Sequence, residues 1–127
     1  MMNHEEGAVK FIDPRRQERY LGFLSNPKRR EKFLGELAHC KALDPKWVVA
    51  IMPNQQNPSS IANLLVSRGA PANCWIISEN STLDAQEMEL VKALEETIGQ
   101  DMGTFLSCIP GKLAYFENED GRCILQR

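Results

Sequence analysis

Stretches of helical spacing and short continuous apolar runs alternate along this chain, with turn-forming residues between them. Asp13-Pro14 and Asn26-Pro27 each pair a capping residue with a proline at the first helical position. Tyr20, Leu21 and Leu24 follow the first signal at helical spacing; Phe33, Leu34, Leu37 and Cys40 follow the second. Asn57-Pro58 is a third start, with Ile61, Leu64 and Leu65 as its apolar face, Gly69 as its stop and Pro71 just beyond. Ser81, three residues before Asp84, predicts a further helix with Leu83, Leu90, Val91, Leu94 and Ile98 inward and Gly99 at its end. Residues 47–52 and 74–78 are instead β-prone apolar runs and predict buried strands. Thr104–Ile109 and Leu113–Asn118 flank Pro110-Gly111, a type II turn signal, and Asp120-Gly121 predicts a type I′ turn before a last strand at 123–126.

Residues 1–12 carry no periodic signal and read as a flexible arm with a short extended piece at 9–12. The predicted order is ααβαβαβββ. A strand–helix–strand unit of this spacing predicts a right-handed parallel crossover, whereas the last strands pair antiparallel. The expected fold is therefore α/β: a single domain, 1–127, with one mixed sheet of about five strands, an N-terminal helical hairpin and C-terminal β-hairpins.

The two first helices are copies of one another. Residues 13–24 and 26–37 align with Pro14/Pro27, Arg16/Arg29, Glu18/Glu31, Leu21/Leu34, Gly22/Gly35 and Leu24/Leu37 identical, and with Asp13/Asn26, Arg15/Lys28, Arg19/Lys32 and Tyr20/Phe33 alike in kind. Both copies place cations in a first turn, where the helix dipole disfavours them, and like charges four residues apart. An anionic partner would relieve that repulsion, so Arg15, Arg16, Arg19, Lys28, Arg29 and Lys32 form a candidate docking patch. Two other readings need no partner: a solvated face, or an internal match to the acidic residues of 84–96. Gly22 and Gly35 allow a close backbone contact, or are an inheritance of the duplication.

The charge distribution sharpens this picture. The chain has 127 residues and a formal net charge of −2. Residues 10–32 nevertheless hold eight cations against three carboxylates, and residues 79–101 hold seven carboxylates against Lys92. A slightly acidic total speaks against a dedicated nucleic-acid binder. No apolar run reaches the length of a membrane span, and the acidic N-terminus is not a secretory signal, which points to the cytoplasm and away from membranes. Cys40, Cys74, Cys108 and Cys123 lack metal-ligand spacing and read as small buried residues, so no metal or cofactor is expected.

Catalytic signals are thin. His39 and Cys40 are neighbours on a helix and diverge by about 100°. His4 falls in the arm. Lys112 could lower the Cys108 thiol pKa, and Glu79, Asp84 and Glu87 could gather a hard cation, but turn and helix-start chemistry accounts for the same residues. Trp47 and Trp75 open the predicted strands and read as core. A second candidate site is polar: the loop 53–60 (Asn54, Gln55, Gln56, Asn57, Ser59) and the loop 78–82 (Ser78, Glu79, Asn80), which would emerge side by side from parallel strands. The expectation is thus a small cytoplasmic interaction protein that engages an acidic partner through helices 14–40. The alternatives are a small-molecule-binding protein or enzyme at the two polar loops, and nucleic-acid binding.

Overall fold

The computed structural model describes residues 2–37 and 42–127; the expectations placed on His39, on Cys40 and on the last residues of helices 14–40 lie outside them. The chain forms α1 (His4–Val9), a 3-10 turn (Pro14–Arg16) running into α2 (Gln17–Leu24), α3 (Pro27–Leu37), β1 (Val48–Ala50), α4 (Pro58–Ser67), β2 (Asn73–Ser78), β3 (Gln86–Glu89), α5 (Leu90–Thr97), β4 (Thr104–Ile109), β5 (Leu113–Asn118) and β6 (Gly121–Gln126). The strands make one sheet in the order β1-β6-β5-β4-β2-β3. Tyr115, Leu106, Ile76, Ile124 and residues of α4 and α5 fill one face. Phe105, Phe116, Ala114, Leu125 and residues of α1, α2 and α3 fill the other. The result is α/β, with the sheet between two helical layers.

Many local signals act as expected. Asp13, Asn26 and Asn57 accept hydrogen bonds from the backbone N–H groups of Arg15, Lys28 and Ser60. Gly69 closes α4 with a positive φ of 104°. The Lys112 N–H donates to the Ile109 carbonyl across Pro110-Gly111, and Gly111 has φ 69°, as a type II turn requires. The following turn is displaced by one residue: Asn118 pairs with Gly121, so Glu119 and Asp120 are its central residues and Gly121 opens β6. Tyr20 and Phe33, equivalent positions of the repeat, pack edge to face at 5.5 Å and join α2 to α3.

The sheet departs from the expected mixed one. It has six strands, and every pairing is antiparallel. β1 and β2 do run in the same direction, but β4, β5 and β6 lie between them. Tight turns zip these last three strands into a meander with two open edges; β1 takes the edge of β6 and β2 that of β4. β1 is therefore a short edge strand with Val48 39% exposed, not a buried one.

Two segments adopt structure other than that expected. The flexible arm expected at 1–12 is not what residues 2–12 form: α1 packs onto the sheet, Ala8, Val9, Phe11 and Ile12 are almost fully buried, and Ile12 bridges Leu43. A Cβ at Gly7 would overlap the Gly111 backbone, so α1 lies directly on the β4–β5 turn. The acidic helix expected from Ser81 starts only at Leu90. Ser81 caps no helix and Asp84 lies in no helical first turn; the Asp84 carboxylate accepts the Ser78 N–H and pairs with Arg30. The chain turns back at Ala85 (φ 58°), and 86–89 adds β3 to the edge of β2.

Candidate functional site

The cations of the repeat divide into three groups. Arg15 and Arg19 are exposed and pair with the chain's own Asp13 (2.8 Å) and Glu36 (3.2 Å). The Arg15 guanidinium holds the Asp13 carboxyl down at about 2, with the Arg15 backbone N–H contributing. Arg30 is withdrawn from the surface: it donates to both oxygens of Glu5 and to both oxygens of Asp84. Arg16, Lys28, Arg29 and Lys32 are exposed and form no ion pair among the described residues, although Arg16 acts on the Asp13 carboxylate at longer range. Lys32 and Arg19 both lie over the Phe23 ring, at 5.5 and 5.2 Å from its centre.

The internal match to the acidic segment is confined to Asp84 and Arg30. α5 packs on the opposite face of the sheet from α2 and α3, and its Glu95 and Glu96 are exposed there. The exposed carboxylates of α5 thus sit on the opposite side of the sheet from the basic helices, whereas Glu87 of β3 lies on the same side as Trp75 and α1–α3. Gly22 and Gly35 make no close backbone contact: a Cβ at either would meet nothing within 4 Å.

The two polar loops do not converge. Both leave the same end of the sheet, but β1 and β2 are four places apart, roughly 19 Å at the usual strand spacing. Their polar groups are also occupied locally. Asn57 caps α4, and Gln56 donates to the Ile51 carbonyl. The Ser78 hydroxyl bonds that of Thr104 and is fully buried. Glu79 accepts the Gly103 N–H, and Asn80 accepts from the backbone and hydroxyl of Thr82. Asn54 and Ser59 are exposed, and Gln55 is half-buried. This is turn chemistry, without a shared pocket.

Among the described residues three cysteines can be placed, and none is activated by a nearby cation. Burial pushes the Cys108 and Cys74 thiols up to about 12, and that of Cys123 up to about 11. No group of three His, Cys, Asp or Glu side chains among the described residues is placed to hold a metal ion.

A different concavity is present. A groove of about 910 Å³ opens between α1 and α2, lined by Met2, Leu21, Leu24 and Trp75 and by the polar side chains of Asn3, His4, Glu5, Glu6, Lys10 and Ser25. Trp75 stands on β2 between Glu87 of β3 and Ser107 of β4, its cross-strand neighbours on the same face. His4 lies parallel to the indole at 6.4 Å and shares a 2.6 Å hydrogen bond, Nδ1 to Oγ, with Ser107. Burial lowers the His4 pKa and Glu87 partly restores it, so the ring is neutral at neutral pH. The Trp75 indole N–H donates to Glu5, which Arg30 holds in turn. Ser107 is 1% exposed, so its hydroxyl orients the imidazole and is not open to a substrate.

Sequence reasoning missed this groove because it placed His4 in an arm and Trp75 in the core. One signal was available. Asn3 caps α1: its side-chain oxygen accepts the Glu6 N–H, and its side-chain amide donates to the Glu6 carboxylate. Among the described residues no helix is long and apolar enough to cross a membrane. No protein-family model, curated protein or solved structure matches the chain.

Proposed function

We propose that this chain is a binding protein that engages an acidic protein surface through the ridge formed by α2 and α3. The observation that carries the reading is the contrast within one repeat. Arg30 takes two carboxylates of its own chain, while Arg16, Lys28, Arg29 and Lys32 remain exposed and form no ion pair among the described residues. These four cations keep the local repulsion that the repeat built in, and an acidic partner relieves it.

Two features favour a protein over a nucleic acid. Glu18 and Glu31 are exposed among the cations, which breaks the single-sign stripe that a phosphate backbone favours. Tyr20, Phe23 and Phe33, the aromatic residues of the two helices, are buried and cannot stack on bases. The test is a titration of the full chain with polyglutamate and with a single-stranded oligonucleotide of equal charge, each at rising salt. The expected result is binding of polyglutamate that weakens with salt and is lost when Arg16, Lys28, Arg29 and Lys32 are replaced together by Ser. Equal binding by that variant, or preference for the oligonucleotide, overturns the reading.

A further inference from the structure

The geometry points to the groove between α1 and α2 as a binding site for small organic cations with an apolar or aromatic body. It shares α2 with the basic ridge, but none of the four exposed ridge cations lines it. Its volume of about 910 Å³ is that of a small-molecule site. The wall formed by Met2, Leu21, Leu24 and Trp75 is apolar, and Leu21 is 37% exposed where a ligand body would cover it.

The polar side of the groove selects the charge. Glu5 and Glu6 line it, and Glu87 lies close enough to act on His4. Lys10 is the cation among the lining residues; the neighbouring Arg30 is shared between Glu5 and Asp84, so the three together keep one negative charge, to which Glu6 and the nearby Glu87 add. His4, the remaining titratable side chain of the wall, is uncharged at neutral pH and does not repel a cation. The indole of Trp75 is fixed in place by its hydrogen bond to Glu5 and by the parallel imidazole. A tryptophan lining a groove beside carboxylates provides the two attractions that ammonium and guanidinium groups use.

The experiment compares three probes with one body and different ends: phenethylamine, phenethyl alcohol and hydrocinnamate. Each is titrated into the full chain at neutral pH while the two indole N–H resonances are followed by NMR. The amine should move the Trp75 resonance, leave that of Trp47 in place, and bind about fivefold tighter than the alcohol, as a partly exposed ion pair implies. Hydrocinnamate should bind weakest. Glu6→Gln should abolish the preference for amine over alcohol, and Leu21→Arg should weaken the amine about tenfold by adding a like charge to an exposed position. Both positions lie at the surface, and far-UV circular dichroism verifies that the variants fold. Equal affinities for amine and alcohol, preference for hydrocinnamate, an unmoved Trp75 resonance at millimolar amine, or full amine binding by the folded Leu21→Arg variant overturns the assignment.

Discussion

Replacing Arg30 by Met tests how the N-terminal layer is held. The guanidinium sits between Glu5 of α1 and Asp84 of the turn before β3, with side chains 17%, 23% and 14% exposed, respectively. Nε and Nη2 reach Glu5 at 3.1 and 3.0 Å, and Nη2 and Nη1 reach Asp84. Methionine keeps the packing of the stem and deletes the charge. Two half-buried carboxylates are then left together. Among the described residues Glu5 then keeps the Trp75 N–H at 3.4 Å, and Asp84 keeps the Ser78 N–H at 2.9 Å.

Removing one member of a fully buried ion pair costs about 3–5 kcal/mol. Residual solvent around this network brings the expectation to the lower end, about 3 kcal/mol, well above the ~0–1 kcal/mol of an exposed pair. Urea unfolding at neutral pH, followed by circular dichroism, measures it. The triple variant Arg30→Met, Glu5→Gln, Asp84→Asn removes the stranded charges and should return to within about 1 kcal/mol of the parent. A loss below about 0.5 kcal/mol for Arg30→Met alone would refute the reasoning, because the network would then behave as surface charge.

Three further outcomes follow from the packing and the titrating groups. Gly7→Ala should cost more than about 2 kcal/mol in urea unfolding, since its Cβ meets the Pro110-Gly111 backbone and α1 must lift; a near-neutral result would mean that α1 is not seated on that turn. Gly22→Ala and Gly35→Ala should each stabilise by about 1 kcal/mol and raise the thermal midpoint, because both positions are helical and open outward. Cys74, Cys108 and Cys123 should resist iodoacetamide in the native protein near pH 8, as read by peptide mass mapping, and react on unfolding. Their thiols ionise more readily in the unfolded chain, so they should lower stability as pH rises above their ordinary value of 9.0, through the range between it and their folded values of about 11 to 12.

Elements set by local chemistry could be read from the sequence, and those set by competition could not. The caps at Asp13, Asn26 and Asn57, the turn at Pro110-Gly111 and the strands that flank it depend on residues a few positions apart. Residues 86–89 lie in a stretch with helical periodicity and become a strand only because β2 offers an unpaired edge. The sheet order was hidden for the same reason: β1 and β2 match the parallel crossover rule locally, but the C-terminal meander occupies the space between them. Burial of residues 4–12 was missed because six helical residues give too short a periodic signal. The candidate cations were legible as a group, but which of them stay exposed depends on where Glu5, Asp84 and Glu36 arrive in space.

The repeat itself separates support from recognition. Gln17 and Arg30 occupy equivalent places in the two copies, and both reach toward the N-terminal segment: Gln17 donates to the Ile12 carbonyl at 2.8 Å, and Arg30 to the Glu5 carboxylate. Tyr20 and Phe33, also equivalent, meet in the core. One side of each copy therefore anchors the segment that builds the groove. Arg16 and Arg29, again an equivalent pair, project from the other side into solvent. Exchanging Arg16 and Arg29 for Ser should thus leave unfolding free energy within about 0.5 kcal/mol of the parent while weakening polyglutamate binding. Gln17→Ala should do the reverse: it leaves the Ile12 carbonyl without its side-chain donor, costs about 1 kcal/mol and spares the ridge. If the two substitutions instead changed stability and binding together, the two sides of the repeat would not be independent, and the division between anchoring and docking would fail.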